Sequence, residues 1–422
     1  MSEGRMMERP AKREHIVILG AGFGGITAFL KLDRALRRRG LLGRYRIILV
    51  DRHAHHLYTP ALYEIAAIPR GEAGAVTLKP SICIPLENIL ARTPGAELLG
   101  EEVVALDPTR RRVRFASGGE LAFAYAVIAL GAETNFFNIP GLAERAYPIK
   151  TFADAVRLRN RIEELMERGA ETLRIVIGGG GPAGVELAAE FVNFLCVMKE
   201  RLAAGTCREE ITLVEASPEI LSGFNRAVVR RARRRLKRLG VRVLTGTPIT
   251  GVSPTTVFLK GGRKIPYHIL VWAGGVRPTG ALQNFGLTLD GRGGIKVNEF
   301  LEAAPRIYAI GDNASFLHPK SRMPLPGNVP VAESEARLAA KNIVADIIGE
   351  ARSPFRPPER WPFILAVGGK YAVSDLVIVK FSGFLGWILK QLVELRYLLF
   401  ILPFPKALRM WLRAVYYETR ND

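Results

Sequence analysis

The sequence predicts an α/β protein built on two copies of one parallel-sheet unit. Three observations predict it: an apolar run occurs twice, a glycine turn follows each copy, and an acidic residue closes the next apolar run. HIVILGAGFGGITAFLKL followed by RIILVD has the same plan as RIVIGGGGPAGVELAAEF followed by ITLVE, and such self-similarity marks a repeated structural unit. The runs at 16–19 and 175–177 are short, apolar and do not alternate, as expected of parallel strands buried on both faces. A chain of 422 residues has room for two such domains and an appendage.

Each glycine turn carries a specific chemistry. Gly20, Gly22 and Gly25 form G-x-G-x-x-G between a strand and a helix. Glycine permits the tight turn and lets backbone N–H groups approach a pyrophosphate, whose charge a helix N-terminus favours. Asp51 closes the next strand, where a carboxylate accepts hydrogen bonds from a ribose. A lone glycine motif could be a structural turn, but strand, glycines, helix, strand and terminal acid together specify a dinucleotide site. The second unit repeats the pattern with Gly179, Gly181 and Gly184 and ends at Glu215. A carboxylate there accepts a free 2′-hydroxyl and repels a 2′-phosphate, which favours NADH over NADPH. The fold class is therefore two Rossmann-type dinucleotide-binding domains plus a C-terminal amphipathic helical segment at a membrane surface.

The later strands set the domain order. YHILVWAGGVRP ends a buried-strand pattern in glycines, and RIYAIGDNASF runs an apolar strand into Gly311 and Asp312. The predicted arrangement is a discontinuous FAD-binding domain over 1–150 and 280–375, an inserted NADH-binding domain over 151–279, and a tail over 376–422. From Phe381 onward the chain is rich in Leu, Phe and Trp but interrupted by Lys390, Glu394, Arg396, Lys406, Arg409 and Arg413. No uncharged stretch reaches the roughly 18 residues that a spanning helix needs. On helical spacing Leu408, Trp411, Leu412 and Val415 share one face, opposite Lys406, Arg409 and Arg413, an interfacial pattern. A preceding stripe of Leu385, Ile388, Leu389, Leu392 and Leu399 contains Arg396, which would have to snorkel. Pro403 and Pro405 separate the two helices. The alternative for the tail is packing on the protein's own core or on a homodimer partner.

Composition narrows the partners. Sixty Lys and Arg against 40 Asp and Glu give a net charge of +20, which attracts something anionic, such as a lipid surface. The run RAVVRRARRRLKRLG has no aromatic residue interleaved for base stacking, so it reads as a solvated basic helix and no nucleic-acid partner is expected. Cys83, Cys196 and Cys207 form no C-x-x-C spacing, so the chain reads as reduced and intracellular. The charged N-terminal residues lack the apolar stretch of a secretory signal. His53, His55 and His56 cluster after Asp51, but no second ligand group accompanies them, and no metal site is assigned. Hydrolase motifs are absent. Glu186, after the third glycine of the second unit, reads equally as a dipole-matched helix residue and as a group facing the nicotinamide.

Taken together, LVDRHAHHLYTPALYEIA, VIALGAETNFFNIPGL, GGGGPAGVELAAEF, VWAGGV and RIYAIGDNAS resemble the type II, or alternative, NADH:quinone oxidoreductases, single-subunit flavoproteins on one membrane face. The resemblance covers roughly residues 14–375. It implies FAD bound through Gly20, Gly22, Gly25, Asp51 and Arg52, with Ala129, Gly131 and Asp312 around the ribityl chain and flavin. It also implies NADH on Gly179, Gly181, Gly184, Glu215, Gly274 and Gly275, with Glu186 positioning the nicotinamide. The family's quinone signature, A-Q-x-A-x-Q, falls on residues 329–334, where Val329, Pro330, Ala332 and Glu333 are the acceptor-site candidates and neither glutamine is present. The family's lysine aligns with Gly368, and Lys370 lies two residues on. Sulfide:quinone reductases share the framework, but their flanking cysteine pair has no counterpart here.

The expected function is two-electron transfer from NADH via FAD to a lipid quinone, menaquinone or ubiquinone, without proton pumping. The expected location is peripheral, on the cytoplasmic face of the cell membrane, against anionic lipid. Two other readings stay open: a related NADH-dependent reductase with a non-quinone acceptor, and a flavin-bound redox-responsive interaction protein.

Overall fold

A computed structural model describes residues 13–93, 95–169, 171–202 and 208–419. Residues 1–12, which carried the signal-peptide reading, and Cys207 lie outside the described residues. The chain divides into two compact units.

The first unit comprises residues up to His56, Pro85–Glu133 and Arg277–Glu359. Its six-stranded sheet runs Glu302–Ala304, Ile307–Ala309, Tyr125–Ile128, Glu14–Leu19, Tyr45–Val50, Glu97–Leu99. All neighbours are parallel except the first pair. Ile16, Val17, Ile18 and Leu19 are fully buried, because helices such as Phe23–Arg38 cover a parallel sheet and leave its central strands no wet face. The Ile307–Ala309 strand enters this sheet from far along the chain. A three-stranded antiparallel sheet, Val103–Asp107, Arg112–Phe115 and Glu120–Ala122, adds Val103, Leu106, Val113 and Phe115 to the same core.

The second unit comprises Leu57–Ile84, Thr134–Val276 and the chain from Arg360 on. Its five-stranded parallel sheet runs Tyr147–Pro148, Ile269–Trp272, Thr172–Gly178, Arg208–Val214, Arg242–Leu244. The antiparallel sheet Ile249–Val252, Thr256–Leu259 and Lys264–Pro266 packs Val257 and Leu259 with Trp272 and Val176. A second antiparallel sheet, Phe363–Ala366, Ala372–Asp375 and Lys380–Gly383, leads into two C-terminal helices, Phe384–Ile401 and Phe404–Thr419.

This partition differs from the boundaries read from sequence, because residues 57–84, 134–150 and 360–375 fall in the second unit. For residues 57–84, polar contacts distant in sequence join them to the second unit. Arg70 donates to Glu163 and Glu167 of the helix Phe152–Glu167, and Arg159 of that helix, 1% exposed, donates to the Ala73 carbonyl. The tail also differs in detail. Leu402 ends the first tail helix in extended geometry, while Pro405 sits in the first turn of the second, where its missing N–H costs nothing.

Both glycine turns close on the same backbone contact. A Cβ on Gly25 would stand 1.8 Å from the Gly20 carbonyl oxygen, and one on Gly184 would stand 1.9 Å from the Gly179 carbonyl oxygen. Each helix can therefore start this close to its strand only if the third glycine has no side chain. Gly22 and Gly181, by contrast, face open space. Gly25→Ala is expected to cost about 1–3 kcal/mol or to prevent folding, and Gly22→Ala, at the helix N-cap where glycine is preferred to alanine, only about 0.5–1 kcal/mol. Thermal unfolding of the two variants beside the parent protein checks the contrast.

Candidate functional site

In the first unit the helix Phe23–Arg38 starts with no side-chain cap on its N-terminus and no acid in its first turn. Three other long helices are capped, by the Thr151–Asp154 capping box and by Asn225 and Asn328, each accepting a backbone N–H, while the helix Phe384–Ile401 and several short ones are bare as well. A helix start left bare behind an open Gly22 presents unpaired N–H groups and positive dipole to an anion. The predicted acid is in place. Asp51 accepts the Ala21 N–H on Oδ2 at 2.7 Å and the His53 N–H on Oδ1 at 2.7 Å, which ties the glycine turn to the end of the second strand. A carboxylate has about four acceptor positions, so capacity for ribose hydroxyls remains. Arg52 is exposed and pairs with Glu102 at 3.0 Å.

The other flavin-side candidates gather at the same sheet edge. Gly20 approaches the Ala129 carbonyl so closely that a Cβ would stand 2.3 Å from its oxygen. Gly131, at φ +71°, exchanges two hydrogen bonds with the buried Asn313 side chain, its N–H donating at 3.0 Å and its carbonyl accepting at 2.8 Å. Asp312 packs against Gly327, where an added Cβ would stand 2.8 Å from Oδ1.

Two contributors, Asn313 and Glu335, went unnamed in the sequence reading, and a third, His56, was named without its role. Asn313 clamps Gly131, and Glu335 accepts the Gly311 N–H at 2.6 Å with its carboxyl pushed up to about 8 by burial. His56, treated as one of a polar trio, is fully buried and donates from Nδ1 to the Ala21 carbonyl at 2.8 Å, so it fastens the glycine turn from the opposite side to Asp51. Burial pulls its imidazole down to about 4, against that hydrogen bond. A buried histidine bonding a backbone carbonyl leaves no local sequence signal beyond its proximity to the acid.

Of the acceptor-site candidates, Val329 and Pro330 open the helix Val329–Ile348, Ala332 is half-buried, and the buried Glu333 pairs with Arg337 one turn on. Glu333 is thus committed within its own helix.

The second unit repeats the first. The helix Pro182–Arg201 starts uncapped behind Gly181, with Pro182 in its first turn. Glu215 accepts the Gly180 N–H on Oε2 at 2.6 Å and the Ser217 N–H on Oε1 at 2.6 Å, the same double attachment that Asp51 makes. Gly179 lies against Ala273 and Gly274, where a Cβ would meet the Ala273 carbonyl oxygen at 2.5 Å. Gly274 fits under the Trp272 ring, and Gly275 adopts φ +152° beside Phe137. The residues of both turns therefore fit the diphosphate and ribose of a dinucleotide, on bare helix starts and acids with acceptor positions to spare.

Glu186 lies in the second turn of the Pro182–Arg201 helix, half-buried. Burial pushes its carboxyl up to about 8, Lys390 and a hydrogen bond from the Ala366 backbone pull it down, and Glu190 adds to the rise. Its environment thus keeps it mostly protonated at neutral pH, unlike the exposed carboxylate that a dipole-matched residue would be. Gly368, at φ +75°, packs on this helix so tightly that a Cβ would stand 2.9 Å from the Ala189 carbonyl oxygen. No side chain fits there, and the cation acting on Glu186 is Lys390, from the helix Phe384–Ile401.

Comparisons with known proteins agree with this geometry. The pyridine nucleotide-disulphide oxidoreductase family matches residues 14–336. The mitochondrial external NADH-ubiquinone oxidoreductase 2 of Saccharomyces cerevisiae is 30% identical over 71% of this chain, and the chain spans 58% of that relative's length. The type II NADH:quinone oxidoreductase of Mycobacterium tuberculosis is 28% identical over 93% of this chain and 86% of its own. Among solved structures, NDH2 from Plasmodium falciparum in complex with NADH superposes with a TM-score of 0.78 at 20% identity, covering 96% of this chain and 98% of that one. That likeness is one of fold.

The buried His56 sets a pH dependence. Its pKa is lowered in the fold, from 6.5 to about 4, so its contribution is complete above pH 6.5 and is lost as pH falls toward 4, where the unfolded chain takes up a proton that the fold refuses. Stability is expected to drop by about 3 kcal/mol across that window from this group. Urea unfolding at pH 7 and pH 4.5 checks it, and His56→Gln is expected to remove most of the difference attributable to this residue.

Proposed function

Because the chain belongs to the pyridine nucleotide-disulphide oxidoreductase family, we propose that it passes two electrons from NADH through bound FAD to a membrane quinone, as type II NADH:quinone oxidoreductases do. One observation carries the reading. The same anion-binding helix start, closed by a glycine-on-carbonyl contact and tied down by a strand-end acid, is built twice. Two dinucleotides then lie on one chain, one resident and one exchanging.

Bound FAD supplies the two-electron carrier. The chain's own groups hold and orient. Gly20, Gly22 and Gly25 receive the FAD pyrophosphate, Asp51 its ribose, and Ala129, Gly131 and Asp312 its flavin side, with Arg52 at the rim. Gly179, Gly181 and Gly184 receive the NADH pyrophosphate, Gly274 and Gly275 border it, and Glu215 takes the ribose hydroxyls. Both Glu215 oxygens already accept backbone N–H groups, so a 2′-phosphate would meet a fixed negative charge. Glu186, kept mostly neutral, positions the nicotinamide without repelling the electrons that leave it.

This reading places the chain peripherally on the cytoplasmic face of the membrane, and the tail supports the membrane contact. Among the described residues no helix is long and apolar enough to cross a bilayer. The helix Phe384–Ile401 buries Gln391, Glu394 and Tyr397 and leaves Leu385, Leu392 and Leu399 exposed at 69%, 52% and 38%. Arg396 is exposed on the same helix. The next helix buries Ala407, Met410 and Ala414 and exposes Phe404 and Leu412. An apolar stripe turned outward beside lysines and arginines suits an anionic lipid surface. A second copy of this chain is the competing occupant.

The central test mixes FAD-loaded protein with NADH, follows the flavin absorbance, then adds a menaquinone or ubiquinone analogue. Rapid bleaching followed by quinone-dependent recovery is expected; bleaching with no recovery would point to another acceptor. Glu215→Gln is expected to narrow the ratio of kcat/KM for NADH over NADPH by about tenfold, or roughly 1.4 kcal/mol, measured with both cofactors. Replacing Leu385, Leu392 and Leu399 with aspartate is expected to release the protein from anionic liposomes while NADH still bleaches the flavin. Retained sedimentation with liposomes would reject the stripe as the contact, and a change from dimer to monomer would assign it to self-association.

A further inference from the structure

The first unit carries a groove that neither glycine turn uses. It lies between the C-terminal half of the helix Phe23–Arg38 and the helix Val329–Ile348, which pack against each other. It encloses about 520 Å³, within the roughly 300–1,000 Å³ of small-molecule sites. Its floor includes the buried Ala340, Val344 and Ala345.

The walls are cationic. Lys31, Arg34 and Arg38 line the groove from the first helix and Arg337 and Lys341 from the second, with Arg39 at the end. Among the described residues only two carboxylates answer these cations: Glu333 pairs with Arg337, and Glu350 with Arg39 at 3.6 Å. Lys341 donates to the Ser353 hydroxyl at 2.7 Å, a neutral partner. Arg34 and Arg38 enter no ion pair among the described residues. They stand one turn apart, where like charges repel. Away from the groove the same helix is balanced, with Arg37 paired to Asp33 at 2.8 Å.

Mutual repulsion reaches the remaining cation as well. Burial lowers the Lys31 ammonium, and Arg337, Arg34 and Arg38 lower it further against the pull of Glu333. Matching to the helix dipole accounts for Arg38, in the last turn of its helix. It does not account for Lys31, Arg34, Arg337 or Lys341, which stand further in. A solvated basic face would spread its cations into water, whereas two helices here turn theirs on one cleft, and a bound anion would relieve the repulsion.

The lining also selects among anions. Arginine holds phosphate through paired N–H donors. From Lys31 to Arg38 the helix rises about 10 Å, at about 1.5 Å per residue, so its cations match several phosphates in series better than one. Among the described residues no aromatic side chain lines the groove, so nothing there stacks on a base. Neither helix carries an exposed large apolar residue, which contact with a bilayer would use.

We propose that this groove binds a soluble phosphate chain, two or more linked phosphates held between Arg34 and Arg38 on one wall and Arg337 and Lys341 on the other. The proposal does not rest on the quinone reading. Both helices belong to the first unit, and Phe23–Arg38 begins at its glycine turn. A ligand that bridges them stabilises that unit, as any ligand of the folded state alone does.

The test uses full-length, FAD-loaded protein with NAD⁺ at saturation, so that both glycine turns are occupied, and titrates inorganic triphosphate by calorimetry. Binding is expected to be about tenfold or more tighter than that of orthophosphate, and to weaken steeply as KCl rises from about 50 to 200 mM. Arg34→Glu combined with Arg38→Glu is expected to weaken it about tenfold or more. Arg230→Glu combined with Arg234→Glu, the same charge change on the helix Arg226–Arg238, is expected to alter it less than about twofold. All four arginines are exposed, and flavin absorbance checks that both variants fold. Glu350→Gln removes a carboxylate from the groove and is expected to tighten binding, a gain that misfolding cannot give. No binding, equal affinity for orthophosphate, or equal loss in the two double variants overturns the proposal, the last by assigning the affinity to net charge. Phosphatidylcholine vesicles doped with phosphatidylinositol bisphosphate form the second arm. Binding to them that needs Arg34 and Arg38, with none to triphosphate, overturns the soluble ligand in favour of a lipid headgroup.

Discussion

Everything in the two nucleotide sites depends on one backbone contact, the third glycine of each turn lying on the carbonyl of the first. Without side-chain atoms between them, the helix begins close against the strand end, with its N-terminus at the turn. The strand-end acid then has only a short distance to cover. Asp51 and Glu215 each take one N–H from the turn and one from two residues further along their own chain. These bonds hold the turn in the shape that a pyrophosphate needs before any ligand arrives, so less ordering cost remains for binding.

The first site is fastened by buried side chains where the second uses backbone, the Leu221 N–H donating to the Gly180 carbonyl at 2.8 Å. His56 and Asn313 fasten the first turn and the neighbouring Gly131 from inside the core, and Glu335 does the same for Gly311. These buried polar groups work because each has a backbone partner. Unpaired, each would be costly in a low-dielectric interior.

The tail inverts the usual polarity of a surface helix. Leu385, Leu392 and Leu399 face out while Lys390, Gln391 and Glu394 face in beside the buried Leu398 and Ile401, a mixture that burial alone does not favour. The inner face tolerates this because Lys390 finds carboxylates on two other elements, Glu64 and Glu418. Breaking such a buried group by removing one member strands the rest, a far larger penalty than an exposed ion pair would carry. The arrangement fixes the tail to the second unit and leaves Leu385, Leu392 and Leu399 exposed.

Much of this was legible in the chain itself. The two glycine turns, their strands and their acids are local patterns, set by the chemistry of consecutive residues, and the structure builds each of them where the sequence writes it. That the tail forms two helices was legible for the same reason, since periodicity reports helical segments and which residues share a face. Which way that face points was not. The division into units, the pinning roles of His56, Asn313 and Glu335, the exclusion of any side chain at Gly368, and the meeting of Lys390 with Glu64 all join residues that lie far apart in the chain. Sequence alone determined the elements and the anion-binding turns, because those arise from short-range backbone geometry. Only the tertiary structure decided where buried charges find their partners, because that depends on packing between segments that share no local signal.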